Sequence, residues 1–158
     1  MFRYLATPDE VVATAFAQNE LTEPSAVSPA DILLTEERYI VPVTGRQLYE
    51  KMLDGGYRTL RDDYVVPAVA YFTRLKMQPL FDINTGRFGS TVPHSDTYAA
   101  ASREMVLDAR RALRDKARSL LRALSDHLNA HAADYPQYRP EKNVLNRCTT
   151  DGGIVQVR

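Results

Sequence analysis

Residues 94–135 read HSDTYAAASREMVLDARRALRDKARSLLRALSDHLNAHAADY. The stretch has no glycine and no proline, and it holds ten of the chain's 18 alanines. Met105, Ala109, Ala112, Leu113, Ala117, Leu120, Leu124 and Leu128 recur at threes and fours, the spacing of one helical face. Ser95-Asp96 supplies a start signal, and Pro136 and Pro140 a stop. The pattern predicts one amphipathic helix of about forty residues, roughly 55–60 Å long at 1.5 Å per residue. A helix of that length spans a whole domain, so the fold expected is an all-α helical bundle packed along it. The first part of the helix carries alanines and few large apolar residues, which suits projection or contact with a neighbouring copy.

Upstream, three shorter helices are marked by their caps. Thr7-Pro8-Asp9-Glu10 has the residues of a capping box with proline at the first helical position, followed by Val11, Val12, Ala15 and Phe16. Residues 19–27 carry no clear period and contain Pro24, so they read as loop. Ser28-Pro29-Ala30-Asp31 opens a second helix with Ile32, Glu36, Tyr39 and Ile40 at helical spacing. Pro42 is expected to end it near Ile40. Thr44-Gly45 then caps a short helix from Arg46 to Leu53, closed by Gly55-Gly56. Arg58 to Met77 predicts a longer helix, kinked at Pro67 and stopped by Pro79. The expected core is Ile32, Tyr39, Ile40, Leu48, Tyr64, Phe72, Leu75, Leu113, Leu120 and Leu124. On that reading Leu120→Ala costs about 2–5 kcal/mol.

Residues 80–94, LFDINTGRFGSTVPH, change character. Asn84-Thr85-Gly86 is turn chemistry flanked by Phe81, Ile83, Phe88 and Val92, which predicts a β-hairpin or an extended arm that contacts a neighbour. Residues 1–140 thus form one helical domain. Residues 141–158 read as a tail in which Ile154-Val155-Gln156-Val157 has β character, either flexible or pairing with a partner.

Composition narrows the function classes. The chain has 158 residues, 44% hydrophobic and 25% charged, as an ordinary globular domain does. One cysteine, Cys148, excludes a disulfide scaffold. The longest apolar run, Val65–Phe72, is far short of the roughly 20 residues of a spanning helix, and the N-terminus lacks a signal-peptide core. Cytoplasm is the compartment expected, with no membrane partner. The formal charge is zero but uneven: residues 1–54 hold nine acids and four bases, net −5, and residues 103–122 hold seven bases and three acids, net +4. Arg111, Arg114, Arg118 and Arg122, spaced 3-4-4, form a basic stripe on one helical face. The stripe is either a solvated face with local ion pairs or a contact for phosphate or for the acidic half of another copy.

No catalytic constellation can be assembled. His127 and His131 at i and i+4 share a helix face but lack a further ligand, and two histidines suit the negative end of a helix. His94 has no acid or nucleophile beside it, and Cys148 no positioned base. Glu36-Glu37 and Asp62-Asp63 are adjacent on helices, so their carboxylates diverge by about 100°. The expectation is a protein that is not an enzyme, with no catalytic, cofactor or metal residues.

Several of these features occur in an order that resembles a known group. Residues 32–52, ILLTEERYIVPVTGRQLYEKM, the Val66-Pro67-Ala68 helix to Leu75, the Asn84-Thr85-Gly86 turn, the long helix and Asp134-Tyr135-Pro136-Gln137-Tyr138 are similar to the head–tail connector (head-completion, portal adaptor) proteins of tailed phages and prophages. The resemblance covers about residues 28–140. It implies a helical structural virion protein whose copies form a ring between portal and tail. Such a ring extends the DNA channel, receives a tail-side completion protein and sees DNA only as passing cargo. It would be made in the bacterial host cytoplasm and end at the virion head–tail junction. The interface residues expected are Phe81, Ile83, Phe88, Val92, Arg111, Arg114, Arg118 and Arg122. The alternative is a small helical DNA-binding or regulatory protein that uses the arginine stripe.

Overall fold

A computed structural model describes residues 3–16, 23–82, 84–86, 89–91, 102–151 and 154–157. The protein is mostly helical. Helix α1 spans Pro8–Ala15 and opens on the capping box read from the sequence: Glu10 N–H donates to Thr7 Oγ1, and Thr7 N–H to the Glu10 carboxylate. Helix α2, Pro29–Thr35, starts at Ser28, whose hydroxyl accepts from Ala30 N–H.

Pro42 does not end this helix. The chain passes from α2 through a widened π turn, Glu36–Ile40, into α3, Val41–Thr44, with helical backbone at both junctions. Val41 N–H reaches the Glu36 carbonyl, five residues back. The extra residue in the turn displaces the carbonyl that the proline ring would otherwise strike. Gly45, at φ +80°, is what turns the chain out of the helix and into α4, Arg46–Leu53.

The same device recurs 25 residues on. Helix α5, Arg58–Leu60, continues through a π turn, Arg61–Val65, into α6, Val66–Asp82. Val66 N–H reaches the Arg61 carbonyl, and Pro67 follows at once. Tyr39-Ile40-Val41-Pro42 and Tyr64-Val65-Val66-Pro67 are thus one local solution used twice. The expected stop at Pro79 is also corrected. Pro79 lies inside α6, which runs on to Asp82. Only the last three residues follow it, so the lost backbone bond falls where a helix end is weakly held.

Helix α7 spans Arg103–Ala130, 28 residues or about 42 Å at 1.5 Å per residue, and is the longest helix described. It begins later than the alanine-rich pattern predicts. Ser102 has extended backbone and its hydroxyl accepts from Met105 N–H, so Ser102 is the cap; Ser95-Asp96 lies outside the described residues.

The hub of the core is α6 rather than α7. Ala68, Val69 and Ala70 are consecutive and fully buried, which requires neighbours on every side. Helices α1, α2 and α7 supply them. Helix α7 contributes Ala117, Leu121, Leu124, Ser125 and Leu128. The expected stripe is therefore corrected: its inward row passes through Leu121, Leu120 is half-buried, and Met105 is 65% exposed. Tyr39, Tyr64, Leu75 and Leu113 are likewise half-buried, whereas Ile32, Ile40, Leu48, Phe72 and Leu124 are buried as expected.

Beyond α6, strand β1 (Asn84–Gly86) pairs antiparallel with β2 (Gly89–Thr91), Asn84 opposite Thr91. Residues 140–147 fold back on the end of α7. Asn143 is buried and donates to Ser125 Oγ and Tyr138 Oη, both at 2.8 Å. Strand β3 (Cys148–Asp151) then pairs antiparallel with β4 (Ile154–Val157).

Candidate functional site

The feature that most demands a partner is the outer face of α7. Arg114, Arg118 and Arg122 are exposed and have no carboxylate within ion-pair distance among the described residues; Arg111 pairs with Asp108 at 3.0 Å, one turn away and equally exposed. Exposed pairs of that kind contribute little. Arg110 faces α6 with its Nε buried and without a hydrogen-bond partner among the described residues. The structure thus keeps the stripe together on one face and leaves most of its charge unspent.

Two depressions flank α7, one of them beside the stripe. One, of about 560 Å³ between α6 and α7, is lined by Tyr71, Arg74, Met105, Ala109, Arg110 and Lys116. Lys116 Nζ lies 5.0 Å from the Tyr71 ring centroid. The other, of about 440 Å³, lies beside Arg118 and Arg122 over Leu121, Leu145 and the stacked rings of Tyr39 and Phe72, 4.0 Å apart. Neither has an acidic residue among its described lining. Of the expected arm residues, Ile83, Phe88 and Val92 lie outside the described residues, and the backbone of Phe81 belongs to α6.

The acidic half of the chain is arranged differently. Glu10 pairs with Arg61 (2.7 Å), Asp31 with Lys76 (2.8 Å), Glu37 with Arg46 (2.6 Å) and Asp54 with Arg3 (2.7 Å). Burial pushes the Glu10 carboxyl up, but hydrogen bonds from Arg61 and Thr7 outweigh it and hold the group below its usual range. Hydrogen bonds from Arg46 do the same for Glu37. Four carboxylates of that half are thus paired within the chain, Asp54 at an exposed position and Glu37 at a half-exposed one, while Asp9, Glu23 and Glu50 have no ion pair among the described residues.

Glu36 is the exception in kind. It sits in the π turn, fully buried, while its neighbour Glu37 points outward, as adjacent helical residues must. One carboxylate oxygen accepts from Leu5 N–H (2.7 Å) and Ala6 N–H (3.0 Å); the other accepts from Tyr49 Oη (2.8 Å). Burial raises its pKa against these donors, and it raises that of Tyr49 far above a free phenol's. Three donors on one buried carboxylate make a fully satisfied network, and this residue was missed as a site by the sequence reading. The signal was there: Glu36 stands four after Ile32 and four before Ile40, on the apolar face of its helix.

His127 and His131 do meet, with ring centroids 4.4 Å apart. One ring nitrogen of each is engaged: His131 Nδ1 bonds the His127 carbonyl, and His127 Nε2 lies 3.0 Å from Tyr135 Oη. Burial, then the neighbouring His131, lowers the His127 pKa. Tyr64 stacks on His127 at 4.2 Å, so the pair caps the end of α7 within an aromatic cluster. Among the described residues no group of three or more His, Cys, Asp or Glu is placed to hold a metal ion. Among them, no helix is long and apolar enough to cross a membrane.

No curated protein and no solved structure matches this chain. One family model does, over residues 28–147, a span that contains α2 to α7, both π turns with the prolines that follow them, Glu36, Arg61 and the arginine stripe, and leaves out α1. The chain belongs to that family, which is described as a family of unknown function, DUF6712.

Proposed function

We propose that this protein is a structural component of a tailed-phage or prophage particle. In this reading it forms a ring beneath the portal, extends the DNA channel and receives a tail-side completion protein. The observation that carries the reading is the basic outer face of α7: Arg114, Arg118 and Arg122 stand exposed and unpaired among the described residues, in a chain of zero net charge. An unspent row of guanidinium groups favours an anionic surface as its counterpart. Internal pairing of Glu10, Asp31, Glu37 and Asp54 makes the acidic half of a neighbour a poorer counterpart than phosphate. Within a ring the arginines then line the channel more readily than the seam. Exposed apolar residues at the start of α7, Met105 and Leu107, are left for neighbouring proteins. The host cytoplasm is the site of assembly and the head–tail junction the destination. No catalytic step is assigned.

The runner-up is a small DNA-binding or regulatory protein using the same arginines, and the same geometry favours it. The two separate on one experiment. Purified protein is added to tailless, portal-bearing heads from the same genome and imaged. A connector adds ring-shaped density below the portal. Binding of free duplex by monomers, weakening steeply with salt and without any attachment to heads, contradicts the ring and supports the runner-up.

A further inference from the structure

The N-terminal segment sits in a slot whose contacts are made to its backbone. Leu5 and Ala6 are buried, and three of their main-chain groups end on side chains of the core. Leu5 N–H and Ala6 N–H donate to Glu36; the Leu5 carbonyl accepts from Arg61 Nε at 2.8 Å. Tyr49 holds the second Glu36 oxygen from the core side. Arg61 also grips the Glu10 carboxylate with its outer nitrogen, at 2.8 and 2.7 Å, one turn into α1. Arg3 closes the outer end on the Leu53 carbonyl and Asp54. A space of about 410 Å³ continues beside Tyr4, Leu5 and Thr7, bordered by Met52, Leu53, Gly55 and Arg61. Tyr57, which follows that loop, is held at φ +52°, a left-handed conformation that a tyrosine seldom adopts. A carboxylate and a guanidinium thus read the N–H groups and the C=O of a bent dipeptide whose Leu5 and Ala6 side chains are buried, and main-chain hydrogen bonds of this kind give peptide-binding sites their affinity.

Slot and occupant also fall on different sides of the family match. Glu36, Tyr49 and Arg61 lie inside the family span 28–147, and the segment that fills the slot lies outside it. Phe16–Glu23, between α1 and the turn at Pro24, is eight residues, able to span at most about 26–29 Å. That is comparable to the width of a small domain, so the same segment can reach the slot of an adjacent copy. Exchange leaves every slot contact unchanged. It trades only the linker path and the entropy of association, and crowding of copies offsets the latter.

We propose that the Glu36–Tyr49–Arg61 slot is a peptide-binding site whose ligand is the N-terminal segment of this chain, held in cis by the isolated molecule and exchanged with that of a second copy when copies are concentrated. The proposal is independent of any place in a virion. The test uses full-length Arg3→Lys, an exposed change that keeps the cation beside Asp54 and adds an amine for zero-length carbodiimide coupling to it. Equimolar ¹⁵N-labelled and unlabelled chains are mixed, held at about 10 µM or about 1 mM, the range of effective concentrations in assemblies, coupled and digested. The cross-linked peptide that joins position 3 to Asp54 should be single-isotope at the low concentration and approach half mixed-isotope at the high one. Sedimentation equilibrium of the unaltered protein over the same range should show a species of twice 17.8 kDa. A product that stays single-isotope at both concentrations, or an unaltered protein that stays monomeric throughout, overturns the exchange.

Discussion

Glu36→Ala should destabilise the protein by about 3–5 kcal/mol in urea unfolding, the largest loss expected from any single polar substitution here. The change strands Leu5 N–H, Ala6 N–H and Tyr49 Oη in a site from which water is excluded. Each orphaned buried donor costs about 1–3 kcal/mol. Glu36→Gln tells the cause apart from lost volume. Its amide oxygen still accepts from Leu5 and Ala6, and Tyr49 can turn to accept from the amide nitrogen, so the loss should stay below about 2 kcal/mol. The pKa direction agrees. Burial raises the Glu36 pKa, which means that the fold favours the neutral form of this carboxyl over the charged one. Its protonation therefore adds stability as pH falls, while Glu10 and Glu37, held low by Arg61 and Arg46, lose theirs as they protonate below their unperturbed values. A Glu36→Ala loss under about 1 kcal/mol would mean that the N-terminal segment is not held by this network.

Leu124→Ala should cost about 2–5 kcal/mol, and Leu120→Ala clearly less. Leu124 is fully buried where α7 meets the core, whereas Leu120 packs at the margin and is half-exposed. The pair tests the rotation of α7 rather than its existence. Equal losses for the two would place Leu120 in the buried row beside Leu124, about 40° from it around the helix, and contradict the assigned orientation of α7. Thermal or urea unfolding of both variants decides it, since the substitution chemistry is the same and only the site differs.

Much of the fold could be read from local chemistry. Thr7-Pro8-Asp9-Glu10 and Ser28-Pro29 open helices as their side-chain donors and acceptors dictate, and Gly45 separates α3 from α4. What misled was proline. A helix rule that treats Pro42 and Pro79 as stops assumes an ordinary i to i−4 ladder, and a π turn shifts that ladder by one residue before Pro42. The repeat Tyr-(Ile or Val)-Val-Pro at residues 39–42 and 64–67 is the sequence sign that Pro42 and Pro67 share one solution. The boundaries of α7 were overestimated for another reason. Alanine runs satisfy helical spacing without saying where a cap forms, and Ser102 takes that role. The rotation of α7 was also ambiguous, because Leu120 and Leu121 are adjacent leucines and either can continue a stripe through Leu124 and Leu128.

The candidate site was legible in part. The arginine stripe is a matter of spacing alone, and the structure keeps those residues on one exposed face. Its counterpart was harder to read. A net charge of −5 in the first 54 residues suggested an acidic surface, yet Glu10, Asp31, Glu37 and Asp54 find partners only through folding, at Arg61, Lys76, Arg46 and Arg3. Long-range pairs such as Glu10–Arg61 leave no trace in spacing. Glu36 reads as half of a carboxylate pair with Glu37, whereas its position among Ile32, Tyr39 and Ile40 marks it as inward-facing.

The reading of this protein as a head–tail connector rests on the arginines of α7, and the measurement that reaches them most directly is docking of Arg111→Glu/Arg114→Glu/Arg118→Glu onto portal-bearing heads. These side chains are exposed, so circular dichroism and the unfolding midpoint should stay close to those of the unaltered protein. At low salt the unaltered protein should attach as a ring, and the triple variant should either fail to attach or attach and no longer retain packaged DNA. Failure to attach would put the stripe at a protein seam; attachment without retention would put it in the channel. Attachment and DNA retention by the triple variant at the level of the unaltered protein would contradict the account.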